Sequence, residues 1–218
     1  MNAPKPLLPP LTLYTSPKTR GTYVRWMLEE CEAPYQVVSR PREQLREAEH
    51  LRLNPLGKVP VLQAGEQLLT ETLAIITWLA EQFPAKRLIP PAASPERGLY
   101  YRWMCFATHL EYACIDQKRG LTAADAALRS SIGYGSFDDA LALLKARLQQ
   151  GPFIVGERFG ALDLYYSGLL SWMIERLQEL PPEPVFLDYM SRHTARPAFA
   201  QAQALDAADA ARHAQQKA

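Results

Sequence analysis

Cysteine is scarce in this sequence: there are three among 218 residues, Cys31, Cys105 and Cys114. An odd count without paired or CxxC spacing excludes a disulfide scaffold and a zinc knuckle. The four histidines, His50, His109, His193 and His213, are scattered and form no HxxxH pair, so no metal is expected. Charge of one sign is lacking too. A net charge of +1 leaves no sequence-wide basic field to hold nucleic acid or an anionic membrane, and neither partner is expected. No apolar run approaches the ~18 residues of a transmembrane helix. The opening MNAPKPLLPP has one lysine and four prolines but no sustained apolar stretch, so residues 1–10 read as a Pro-rich arm rather than a secretory signal. These absences make the cytoplasm the expected location.

What is present is an ordinary globular composition, 48% hydrophobic and 22% charged, with length for one large or two modest domains. Leu11 to Thr15 alternates as a strand. Val24, Met27, Leu28 and Cys31 then recur at helical spacing until Ala33-Pro34, and Tyr35 to Val38 reads as a second strand. A short helix around Glu43 to Leu51 follows. Val59 to Leu62 and Gln67 to Leu69 then form a hairpin around Gly65-Glu66, and Leu73, Ile75, Ile76, Leu79 and Phe83 give a helical stripe closing at Pro84. Residues 11–84 thus read β-α-β-α-β-β-α. Four prolines between Pro84 and Pro95 mark residues 85–95 as a linker.

Beyond the linker, residues 96–205 read as all-helical. Trp103, Phe106, Leu110 and Ala113 step at three and four residues, and Ser136 to Asp139 forms a capping box. Leu162 to Leu177 is apolar on more than one face, as a core helix is. Residues 206–218, rich in Ala and Gln, are expected to be a frayed or disordered tail.

The most informative stretch is NPLGKVPVLQAGEQLLTETLAIITWLAEQF, Asn54 to Phe83. Pro60 lacks an N–H and belongs at a strand start or edge, and a cis Val59-Pro60 bond would serve a purpose there. Thr72 falls at a helix N-terminus, whose unpaired N–H groups and dipole favour a carboxylate, while the adjacent Glu71 could receive an ammonium group. The plain alternatives are Thr72 as an N-cap and Glu71 as dipole complement.

The pattern N-P-x-G-K-V-P-x-L followed by T-E-T-L-A-I-I-x-W-L resembles the glutathione-site signature of the cytosolic glutathione transferase family, in which a cis proline and an acidic-hydroxyl pair bind the tripeptide. The segments PFIVGERFGALDLYYSGLL and RPAFAQA resemble the family's helical-domain signatures, with one departure. Gly160 stands at the hydroxyl position of the capping box, leaving only Asp163. The resemblance covers residues 11–200. It implies an α/β thioredoxin-like N-terminal domain, an all-α C-terminal domain, glutathione as co-substrate, and a role in detoxification. It also implies a two-fold homodimer in which the thioredoxin-like domain of one chain faces the helical domain of the other.

For the tripeptide, the resemblance points to Pro60, Glu71 and Thr72; Val59 is expected to pair in strand fashion with its backbone, and Lys58 with its glycine carboxylate. A bound thiol must be held as the thiolate, its nucleophilic form, and the donors belong between the first strand and first helix, Tyr14 to Gly21. No family residue is matched cleanly there. Thr19 falls where serine-type classes carry a hydroxyl and Arg20 where a bacterial class carries cysteine. Tyr14 is the competing donor, and Ser16 before Pro17 reads as a turn residue. A loop without cysteine cannot form a mixed disulfide with the ligand. Trp103, Phe106, His109 and Tyr112 are the candidates to receive a small hydrophobic electrophile. The expected reaction is conjugation of glutathione thiolate to that electrophile. Glutathione-dependent peroxide or disulfide reduction, isomerisation, and a non-catalytic interaction module of the same fold remain alternatives.

Overall fold

The computed structural model describes residues 8–121 and 126–216. The chain divides into two compact units, Met1–Arg87 with Pro197–Ala218, and Leu88–Arg196.

The first unit carries strands β1 (Leu11–Thr15), β2 (Tyr35–Ser39), β3 (Val61–Ala64) and β4 (Gln67–Leu69) in one sheet of order β2-β1-β3-β4. β1 and β2 run parallel, and β3 is antiparallel to both β1 and β4. The parallel pair needs a crossover, supplied by helix α1 (Gly21–Cys31), whereas β3 and β4 need only a tight turn. Period-two alternation in β1 buries Leu11, Leu13 and Thr15 on one face. They meet Val24, Met27 and Leu28 of α1 and Ile75, Ile76 and Leu79 of α3 (Thr72–Gln82), all buried, in one core. α1 stops where Glu32 turns left-handed at φ 50° and its N–H returns to the helix carbonyls. A 3-10 turn over Arg42–Arg46 leads into the short α2 (Ala48–Leu53). Pro60 stands outside the ladder. β3 begins at Val61, two residues later than the sequence suggests, because a residue without an N–H cannot continue the pairing.

The second unit is helical: α4 (Glu96–Lys118), α5 (Ala126–Ser131), α6 (Phe137–Gln150), α7 (Ala161–Ser171) and α8 (Pro184–Thr194), with a π-helical turn at Trp172–Leu177. Ser136 caps α6 as the spacing predicts, its Oγ accepting the Asp139 N–H at 3.1 Å. At α7 the departure at Gly160 has a steric cause. A Cβ there would lie 2.8 Å from the Leu88 carbonyl oxygen, which accepts the Ala161 N–H at 2.8 Å. Asp163 alone does the capping, taking the Gly160 N–H on Oδ2 and the Ile154 N–H and Tyr189 hydroxyl on Oδ1.

The domain boundary differs from the sequence reading. The helical unit ends at Arg196 rather than 205, and residues 206–215 of the expected tail are part of a helix, α9 (Pro197–Gln215), that belongs to the first unit, residues 217 and 218 lying outside the described residues. Composition alone suggested fraying. What holds α9 is a stripe of contacts at helical spacing: Phe199 against Trp26, buried Ala202, Asp206 on the Lys18 N–H, Asp209 on Arg25, and His213 at Ser39. Residues 1–7 of the Pro-rich arm lie outside the described residues. Among the described residues no helix is long and apolar enough to cross a membrane.

Candidate functional site

Strand register decides which loops meet. Tyr14 pairs with Val61, and Leu62 with Leu69, so the exit of β1, the entry of β3 and the exit of β4 share one end of the sheet. That end collects the segment after Thr15, the Val59-Pro60 step and the Thr70 to Thr72 turn. The carboxyl ends of parallel strands are the usual binding edge of such sheets.

The turn between β1 and α1 is tightly built. Thr15 and Ser16 are both buried. A Cβ on Gly21 would lie 1.8 Å from Thr15 Oγ1, so only glycine lets the first turn of α1 approach the strand this closely. The Thr19 hydroxyl donates to the Ser16 carbonyl at 2.6 Å and accepts the Gly21 N–H at 3.2 Å. Arg20 is the residue from which α1 starts. The Tyr14 hydroxyl donates to Gln63 Oε1 at 2.9 Å, within the sheet. Both candidate hydroxyl donors therefore have protein acceptors in the free chain.

The Val59-Pro60 peptide bond is cis. Two residues that the sequence reading passed over hold the loop before it. Buried His50 and the Asn54 side chain both bond the Lys58 carbonyl at 3.1 Å, and Asn54 Oδ1 accepts the Leu56 N–H. The Lys58 side chain is exposed. The sequence signal for this brace was Asn54-Pro55 ahead of Gly57, since Asn bonds its own backbone two residues on.

At the third loop, Glu71 takes φ 64° and ψ 114°, a region that residues with a Cβ rarely occupy. It stands at the N-cap of α3, and its side chain makes no capping hydrogen bond. Thr72 is the first helical residue and is buried. Thr72 is therefore not the N-cap of α3, and Glu71, which is, makes no capping bond with its side chain. The first N–H groups of α3 are left without a side-chain cap from Glu71, which is the arrangement that receives an anion.

The four aromatic positions on α4 do not share one environment. Trp103 is buried in the helical unit, 5.4 Å from the Phe106 ring and 6.1 Å from that of Tyr166, whose hydroxyl donates to the Trp103 carbonyl. Phe106 is half-buried, and His109 and Tyr112 are exposed. Burial pushes the Cys31 and Cys114 thiols up to about 12, which leaves both protonated and inert at neutral pH. Among the described residues no group of three or more His, Cys, Asp or Glu side chains is placed to hold a metal ion.

Comparison with known proteins points to one family. Residues 9–81 match the family described as glutathione S-transferase, N-terminal domain. A probable maleylacetoacetate isomerase of Vibrio cholerae is 33% identical over 76% of this chain and 80% of its own length. A glutathione S-transferase GST-4.5 of Xanthomonas campestris is 25% identical over 74% of this chain and 82% of its own. Against glutathione S-transferase F14 of Arabidopsis thaliana, 28% identical over 58% of this chain, the match spans only 53% of the plant protein. Among solved structures, a glutathione transferase of Methylococcus capsulatus has a TM-score of 0.74 at 28% identity, covering 90% of this chain and 98% of that one. A glutathione-bound transferase of a sphingomonad has a TM-score of 0.72 at 24% identity, covering 90% and 98%, which speaks to the fold alone. The sheet with its cis proline and uncapped α3, the helical second unit and these relatives lead to one conclusion: the chain belongs to the glutathione S-transferase family.

Proposed function

We propose that the protein is an enzyme that binds glutathione at this sheet end and conjugates its thiolate to a small apolar electrophile. The observation that carries the reading is the α3 N-terminus, with Glu71 left-handed at its cap and no side-chain capping bond from it. A ligand with an α-ammonium and an α-carboxylate on one carbon fits both groups, and the γ-glutamyl end of glutathione is such a ligand. Val59 beside Pro60 would pair with the cysteinyl amide in strand fashion, and Lys58 would meet the glycine carboxylate.

Lowering the bound thiol by about two pKa units is worth ~2.7 kcal/mol of differential stabilisation. The Arg20 charge, the N-terminal dipole of α1 and the Thr19 hydroxyl would supply it, Thr19 turning its proton from the Ser16 carbonyl to sulfur when the ligand binds. Tyr14 is the less favoured donor because its proton serves Gln63. The sulfur then forms a bond to the electrophilic carbon as that carbon loses a leaving group, or as the electron pair of its broken π bond passes to the neighbouring atom, which takes up a proton.

A second reading, glutathione-dependent isomerisation, is supported by the name of the Vibrio relative. The serine-serine-cysteine motif associated with isomerase-type members is missing from the β1–α1 turn. Retention on a glutathione column and a glutathione-induced rise in melting temperature are expected. Failure of both removes the enzyme reading, and a panel of electrophiles, peroxides and isomerase substrates assayed with glutathione separates the reactions.

A further inference from the structure

Lys18, in the turn between β1 and α1, has a left-handed backbone at φ 57° although it carries a Cβ. Its peptide groups are gripped on two sides by elements distant in sequence. The Lys18 N–H donates to Asp206 Oδ2 of α9 at 2.9 Å, and Arg42 Nη2, from the 3-10 turn after β2, donates to the Lys18 carbonyl at 2.9 Å. Asp206 is 5% exposed, and its Oδ1 has no hydrogen-bond partner among the described residues. One turn further along α9, Asp209 meets Arg25 of α1 at 2.5 Å, with both side chains almost fully buried. Residues 206 and 209 share a helix face, so the ion pair that docks α9 on α1 also aims the Asp206 carboxylate at the Lys18 peptide.

We propose that Asp206 is a positioning residue for thiol activation: with Arg42 it clamps the Lys18 peptide and so fixes the direction in which Thr19 and Arg20 present their donors to the bound sulfur. This rests on the functional reading above. The physical reason is preorganisation. A donor that must be oriented during ionisation stabilises the thiolate less than one already fixed, and a left-handed lysine persists only where its surroundings impose it. The electrostatic alternative has the opposite sign. A carboxylate acting by its charge near the turn would raise the thiol pKa, and removing that charge would lower it.

The test uses the full chain as wild type, Asp206→Ala, Asp206→Asn and Arg42→Ala, with Ala202→Gly as a control that loosens α9 without touching Lys18. Bound-thiol ionisation is followed by ultraviolet absorbance against pH, glutathione affinity by calorimetry, and Lys18 amide exchange by mass spectrometry. Asp206→Ala should raise the bound-thiol pKa by about one unit while affinity stays within about threefold. Exchange of the Lys18 amide should quicken on the order of tenfold. Asp206→Asn keeps an acceptor oxygen and should restore both readouts. Ala202→Gly should lower the melting temperature and leave the thiol pKa alone. Arg42 is exposed, so Arg42→Ala keeps the question decidable if Asp206→Ala does not fold, and it too should raise the thiol pKa.

A wild-type thiol pKa in both Asp206→Ala and Arg42→Ala overturns the proposal, as does a fall in pKa in Asp206→Asn. A wild-type protein that does not bind glutathione removes the functional reading instead. The exchange rate of the Lys18 amide in Asp206→Ala then still decides whether the clamp exists, an unchanged rate sinking it.

Discussion

Glu71 concentrates the tension between stability and function in one residue. Its φ of 64° suits glycine, and a non-glycine residue in such a region costs on the order of 1–3 kcal/mol. Glu71→Gly should therefore leave folding stability unchanged or raise it by up to about 1 kcal/mol, after allowing for the looser unfolded chain. The same change should weaken glutathione binding by about 1.5–3 kcal/mol, the range for charge-assisted hydrogen bonds. Calorimetry beside a denaturant titration checks this pair of signs, and wild-type affinity would sink the site assignment. Thr19→Val, which keeps the shape and deletes the hydroxyl, should raise the bound-thiol pKa. An unchanged pKa moves the donor role to Arg20. At Gly160 propensity and geometry disagree. Capping preference favours Gly160→Ser by a few tenths of a kcal/mol. The Cβ would sit 2.8 Å from a backbone carbonyl, however, and strain of about 1–3 kcal/mol should win. The urea midpoint of Gly160→Ser should fall.

Among the elements, α9 departs furthest from what its own sequence advertises. An Ala- and Gln-rich helix with two carboxylates, Asp206 and Asp209, on its inner stripe offers little apolar area, so docking depends on the Arg25–Asp209 pair, further braced by Arg212. Removing one partner of a buried pair strands the other. Asp209→Ala should cost about 3–5 kcal/mol, whereas Arg25→Met with Asp209→Leu, which replaces both by apolar groups, should cost far less. Equal losses in the single and double variants, read from denaturant midpoints, would show that the pair does not act as a unit. α7 shows the opposite case. Its residues from Ala161 to Leu170 are nearly all buried, so its apolar sequence already states its place in a core.

For the molecule as a whole, acid sensitivity should come from His193. Burial, followed by the Arg192 and Arg196 charges, lowers its pKa to about 4, so the folded state keeps the ring neutral. The ring sits against Tyr189, Phe153 and Phe159, with the Ser167 hydroxyl 3.0 Å from Nδ1. Below about pH 6.5 the unfolded chain takes up a proton that the folded chain refuses, so stability falls as pH drops from about 6.5 to 4. Asp163 opposes this. Burial raises its carboxyl to about 6, so the folded chain holds a proton that the unfolded chain has released, and this contribution to stability grows as pH falls from 6 to 4. His193→Asn should unmask it, giving a protein whose urea midpoint rises between pH 6 and 4 while that of wild type falls or stays level. A parallel pH dependence in the two proteins would refute the assignment. Sedimentation at micromolar concentration should show a two-fold dimer, as the family resemblance implies.

The sequence alone determined the order of elements in residues 11–84, because period-two and period-3.6 patterns and their proline and glycine punctuation are local. It also marked Pro60, Glu71 and Thr72, whose spacing within one continuous stretch is itself the signal. Tertiary structure decided what depends on distant partners. Strand register, set by which faces of β1 and β3 are buried, brings the three loops to one end of the sheet. Trp103 carries the same helical spacing whether it packs in a core or lines a pocket, and its burial against Phe106 and Tyr166 is seen only in the tertiary structure. The partnership of α9 with α1 was invisible for the same reason. A buried ion pair 184 residues apart in the chain leaves no local pattern, since the acid is read as surface until the arginine that meets it is in place.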